Sequence, residues 1–114
     1  SVVTLHEAGD FLPGRQGQGS VHHVAFRAAD DADERALVET LRAEYGIVTT
    51  GQRDRTYFRS VYFREPGGVL FEIATDIPGF AIDEPAATLG EALKLPARLE
   101  GRRAAIEAAL PALT

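Results

Sequence analysis

The chain has 114 residues, 45% of them hydrophobic, which suffices for one compact domain and is too short for two ordinary ones. Twelve basic residues against 17 acidic give a formal net charge of -5, which disfavours a sequence-independent grip on nucleic-acid phosphates or anionic lipid and leaves a small molecule as the expected ligand. With no cysteine, disulfides, thiolate zinc sites and cysteine nucleophiles are excluded, so any metal here must use nitrogen and oxygen ligands.

No apolar run approaches the roughly 20 residues of a membrane helix, and no secretory signal opens the chain. The expectation is a soluble, cytoplasmic protein with neither membrane nor nucleic-acid partner. The absence of methionine suggests a piece of a longer protein.

Val2-Val3-Thr4-Leu5 is a β-branched run followed by Gly9, Pro13, Gly14, Gly17 and Gly19, which predicts a strand end running into a connector. Val21 to Ala28 predicts a strand, with Val24 and Phe26 alternating with Ala25 and Arg27. Asp31 can cap a helix and Glu34 close a capping box; Leu37, Leu41 and Tyr45 then recur every fourth residue until Gly46. The acidic run Asp30-Asp31-Ala32-Asp33-Glu34 is explained by capping and the helix dipole, without a calcium site.

Ile47 to Thr50 and Thr56 to Arg64 predict two further strands, separated by the polar loop Gly51 to Arg55. Glu65-Pro66-Gly67-Gly68 reverses the chain, and Val69 to Ala74 follows as a strand that is apolar except at Glu72. Gly67-Gly68 joins two antiparallel strands and opens no helix, so it is a turn and not a phosphate cradle. Past Pro78, Asp83-Glu84-Pro85 and Pro96 act as breaks before a helix over Ala97 to Ala109. The order from residue 21 is a βαβββ unit of α+β class. Three segments follow: 1–20 as the end of a preceding module and its connector, 21–80 as the unit itself, and 81–114 as a C-terminal extension with a helix.

Strand parity puts His23 and Ala25 on one face of the first strand, and His22, Val24 and Phe26 on the bulky face that suits packing against the helix. The same parity groups Leu70, Glu72 and Ala74 on the last strand, opposite Val69, Phe71 and Ile73. Glu72 and His23 can therefore face one pocket. A carboxylate among apolar neighbours needs a partner, either a divalent metal or a salt bridge. An imidazole and a carboxylate without thiolate suit Fe(II) or Mn(II) better than structural zinc.

His22-His23-Val24-Ala25-Phe26, followed by Tyr62-Phe63-Arg64-Glu65-Pro66-Gly67-Gly68-Val69-Leu70-Phe71-Glu72, resembles the vicinal oxygen chelate superfamily of glyoxalases, bleomycin-resistance proteins and extradiol dioxygenases. The likeness is closest to the C-terminal module of ring-cleaving dioxygenases of the hydroquinone type, and extends through Asp83-Glu84-Pro85, Leu95-Pro96 and Arg102-Arg103. It implies a mixed, curved sheet, with His23 and Glu72 as ligands for Fe(II) or Mn(II). His22, Tyr62 and Arg55 would lie near the oxygens of an aromatic substrate that reacts with dioxygen. The third ligand would come from an N-terminal module or a second copy in a homodimer, and the chain by itself is expected to be weakly active or inactive. His6 is a poor substitute, because it sits where a strand runs into the connector. The alternatives within the superfamily are a glyoxalase-like metal isomerase using Zn or Ni and a non-catalytic small-molecule binding module. Geometry supports Tyr62 separately: if the turn pairs residues whose numbers sum to 134, Tyr62 lies opposite Glu72 on one face, whereas a slip of one residue points it away.

Overall fold

The computed structural model describes every residue except 1, 5, 8, 10–13 and 112–114. Four strands, β1 (Val24–Ala28), β2 (Arg53–Asp54), β3 (Phe58–Arg64) and β4 (Leu70–Pro78), form one sheet in the order β1-β4-β3-β2. Helix α1 (Asp31–Tyr45) connects β1 to the rest, and β1 pairs with β4 in parallel while the other pairs are antiparallel. The expected α+β unit with a mixed sheet is therefore present. Ala28, Val61, Phe63 and Ile73 form a small core, against which Val38 and Leu41 of α1 pack together with Ile47 and Phe71. Among the described residues no helix is long and apolar enough to cross a membrane.

Several expectations need correction. Val2 to Thr4 carry no regular structure; Leu5, with which that strand end was expected to finish, and Pro13 of the connector lie outside the described residues. The first strand begins at Val24 and not Val21, leaving both histidines just ahead of it. Val24 and Phe26 share the helix side with Phe71 and Ile73, yet each remains 37% exposed because β1 is an edge strand. Phe26 makes an edge-to-face contact with Phe71 at 5.1 Å.

The N-cap of α1 is Asp30, not Asp31: its backbone is extended, so its carboxylate accepts from the Ala32 and Asp33 amides, both at 2.9 Å. Glu34 closes no capping box; its Oε2 accepts from Gln52 at 2.7 Å. Asp31, already helical, points toward β3 and accepts from Arg59 Nε at 2.6 Å. Gly46 ends the helix as expected, in the left-handed region at φ 66°, with its own amide on the Arg42 carbonyl and that of Ile47 on Leu41.

Ile47 to Thr50 is not a strand. The Thr50 amide donates to the Tyr62 carbonyl at 2.8 Å, but the Tyr62 amide is taken by the Thr50 hydroxyl at 3.0 Å, so a side chain replaces the backbone acceptor a ladder would use. The edge strand is instead the two-residue β2. The β3–β4 hairpin closes on Glu65, whose carboxylate accepts from the Gly67 and Val69 amides at 2.8 and 2.7 Å. Those two bonds hold the Glu65 carboxyl below its ordinary range. The helix expected over Ala97 to Ala109 divides into a 3₁₀ segment, Ala97–Arg102, and helix α2, Arg103–Ala109, at the Arg102-Arg103 junction.

Asp31 beside Arg59, Asp76 beside Arg27 and Glu65 on its amides all titrate below their unfolded values. A depressed carboxyl stabilises the fold fully above its unfolded pKa, and that stabilisation is lost as pH falls through the folded value. The melting temperature should hold from pH 7 to about 5 and fall below about pH 4, and Asp76→Asn should flatten part of that decline. Gly46→Ala, which puts a Cβ in the left-handed region, should cost about 1–2 kcal/mol in urea unfolding.

Candidate functional site

Glu72 lies on β4 between two neighbours: Ala25 pairs with it across the parallel side and Tyr62 across the antiparallel side. The hairpin register sets Arg64 opposite Leu70, Phe63 opposite Phe71 and Tyr62 opposite Glu72, so the pairing is the one that keeps Tyr62 on the Glu72 face. Small Ala25 leaves the space that His23, two residues earlier on the same side, enters. His23 Nε2 lies 2.8 Å from Glu72 Oε2.

His22 was expected beside the pocket, on the other face. Because both histidines precede β1, strand alternation does not separate them: their Nδ1 atoms lie 2.8 Å apart and their rings meet edge-on. One proton serves that contact, so one Nδ1 donates and the other accepts. With the proton on His23, its Nε2 is free to act as a lone-pair donor. Tyr62 sits edge-on to the His23 ring, with centroids 5.8 Å apart. Arg55 Nη2 donates to the Tyr62 hydroxyl at 3.1 Å, and its guanidinium carbon is 5.4 Å from the ring centroid.

All five expected residues thus lie together. His22, His23, Tyr62 and Arg55 line a cavity of about 310 Å³, joined by Thr50, Arg53 and Leu70; Glu72 contacts His23 and lines a second, apolar pocket of about 380 Å³ with Ala25, Ala74, Tyr57, Phe58 and Phe80. Sequence reading missed Thr50 and Arg53. Arg53 was legible only as loop charge, since its face depends on pairing opposite Ser60.

Glu72 is 3% exposed, and its Oε1 has no hydrogen-bond partner. A buried carboxylate oxygen left unpaired is costly. A divalent cation held by His23 Nε2 and Glu72 would relieve it, so the donor set fits an Fe(II)- or Mn(II)-class ion. The salt-bridge alternative accounts for Oε2 alone. Among the described residues no cluster of three or more ligand-type side chains occurs, so these residues supply two ligands.

The sequence profile of the Glyoxalase/Bleomycin resistance protein/Dioxygenase superfamily matches residues 1–73. Two Bacillus subtilis (strain 168) proteins named as ring-cleaving dioxygenases are similar: MhqA, 48% identical over 108 residues covering 95% of this chain and 34% of its own length, and MhqO, 50% identical over 97 residues, 85% and 31%. The chlorohydroquinone/hydroquinone 1,2-dioxygenase of Sphingobium indicum is 40% identical over 85 residues, 75% of this chain and 26% of its own. A crystal structure described as a dioxygenase from Bacillus subtilis superposes with a TM-score of 0.77 at 48% identity, covering 89% of this chain and 33% of that one. The chain spans about a third of the length of these relatives.

A cation bound to His23 and Glu72 should raise the melting temperature of metal-free protein. Mn(II) at 100 times its dissociation constant corresponds to about 2.7 kcal/mol of added stability. Glu72→Ala should abolish the shift; a shift of equal size in that variant would place the ion elsewhere.

Proposed function

We propose, since the chain belongs to the Glyoxalase/Bleomycin resistance protein/Dioxygenase superfamily, that it is the metal-ligating segment of a dioxygenase that cleaves dihydroxylated aromatic rings of the hydroquinone or catechol type. The observation that carries this reading is buried Glu72, with its unpaired Oε1, against half-buried His23, beside Tyr62 and the Arg55 that bonds its hydroxyl. The names of the relatives support the choice of reaction. Residues 21–80 form the metal-site module and 81–114 its extension. The setting we propose is cytoplasmic.

His23 and Glu72 would hold Fe(II) or Mn(II), the remaining ligand coming from another part of the protein or from a second copy in a homodimer. When bound, the metal supplies a chelation point for the substrate oxygens and the redox coupling of the ring to dioxygen. The protein groups do the rest. The Tyr62 hydroxyl, fixed by Arg55, is free to hydrogen-bond a substrate oxygen through its own proton, because it accepts from Arg55. The Arg55 charge then favours the deprotonated form of that oxygen. His22 orients the His23 ring through the shared Nδ1 proton and offers its other nitrogen for proton transfer at the cavity mouth. Thr50 and Leu70 complete the cavity lining.

Oxygen uptake by the Fe(II)-loaded full-length protein with hydroquinone should fall at least about 100-fold in His23→Ala and Glu72→Ala. Tyr62→Phe and Arg55→Gln should lower turnover about 100-fold while leaving metal content unchanged. Uptake at background level, unaltered by Glu72→Ala, would end the dioxygenase reading. Conversion without oxygen would favour a metal isomerase, and tight aromatic binding in the presence of chelator a binding module.

A further inference from the structure

No carboxylate lines the cavity of about 310 Å³ that holds His22 and His23, yet two arginines do, Arg53 and Arg55. The edge of the sheet explains this one-sided charge. Arg53 pairs with Ser60, and Asp54 with Arg59, across β2 and β3. Residues directly opposite in an antiparallel pair share a face. Ser60 stands two residues from Tyr62 on β3, so Arg53 falls on the Tyr62 side, about 7 Å along the strand from it, and Asp54 falls on the other. Asp54 is engaged locally, its Oδ1 accepting from the Thr56 amide at 2.7 Å. The two arginines also differ in what they touch. Arg55 donates to the Tyr62 hydroxyl at 3.1 Å and lies over its ring, whereas Arg53 enters no ion pair among the described residues.

Resting on the ring-cleaving reading above, we infer that Arg53 is a specificity-determining residue, and that the substrate is a dihydroxylated aromatic ring carrying a carboxylate on a side arm. A divalent ion, the Glu72 carboxylate and one deprotonated ring oxygen cancel one another's charge, and Arg55 is turned to the Tyr62 hydroxyl. Arg53 is then the cation without a counterpart. Its guanidinium presents a planar fork of N–H donors that matches the two oxygens of a carboxylate, while a methyl or halogen substituent offers that fork nothing. Position sets where the anion lies. Tyr62 is placed at a ring oxygen, and Arg53 stands one strand repeat beyond it, so the carboxylate sits on a side arm directed away from the oxygens that chelate. Arg53 is exposed, so water and salt screen its attraction and the preference it confers is about 10-fold.

The test measures, by anaerobic calorimetry, the dissociation constants of 2,5-dihydroxyphenylacetate and of its uncharged methyl ester for the full-length protein, metal-free and loaded with Mn(II). The two ligands share one ring and differ by one charge. At low salt the acid should bind about 10-fold tighter than the ester, and the gap should shrink at high salt. Arg53→Gln should bring the ratio to about 1, and Arg53→Lys, which keeps the charge without the fork, should leave an intermediate ratio. Both variants should melt with the wild type, since the side chain is exposed. Equal binding of acid and ester by the wild type, a ratio unaltered in Arg53→Gln, or no saturable binding of the acid would overturn the assignment. An arginine that serves only to guard a sheet edge gives the first or second of these results. The metal arm separates this inference from the reading it rests on. If Mn(II) tightens neither ligand while the preference for the acid remains, the metal-site reading has failed and the Arg53 site stands; Mn(II)-dependent binding without that preference overturns the role of Arg53 alone.

Discussion

A carboxylate taken almost fully out of water on the interior strand of a sheet must find compensating charge, and Glu72 on β4 is such a group. Both edges of its strand are used in pairing, so the backbone offers it no free donor. What reaches it comes from neighbouring strands: space over Ala25 on one side, the Tyr62 ring on the other, and His23 from ahead of β1. The order β1-β4-β3 is therefore the means by which residues separated by 39 and 49 positions from their partners converge. A central β4 is obtained only because α1 carries the chain across to a parallel pairing.

Charge around the site runs against charge over the whole chain. The protein is acidic, yet two arginines, Arg53 and Arg55, line the cavity with His22 and His23, the latter against buried Glu72. Several other charges are paired elsewhere: Asp31 with Arg59, Asp76 with Arg27, and Arg103 with Glu100 and Glu107. Such local excess of positive groups suits a ligand whose oxygens become anionic on binding.

What could be read from the residues was governed by periodicity. Alternation along Val69 to Ala74 assigned Phe71 and Ile73 to the core and Glu72 to the opposite face, while the Pro-Gly-Gly turn left two registers open, of which the structure adopts the one with Tyr62 across from Glu72. Readings failed where a side chain competed with backbone. The Thr50 hydroxyl displaced a ladder acceptor and cancelled the strand at Ile47 to Thr50; Asp30 outreached Asp31 as the cap because it alone has the extended backbone that aims a carboxylate at the next amides. Strand parity also misjudged His22, since alternation holds only inside a strand and β1 starts at Val24. Gln52 on Glu34 and Arg59 on Asp31 depend on contacts across 18 and 28 residues, which no local pattern encodes.

The central claim, that His23 and Glu72 form a metal site, is tested most directly by iron K-edge X-ray absorption on anaerobically Fe(II)-loaded protein. The account predicts the multiple-scattering signature of imidazole together with oxygen ligands, and loss of one imidazole's contribution in His23→Ala. A spectrum of oxygen ligands alone, or one identical in His23→Ala, would contradict it.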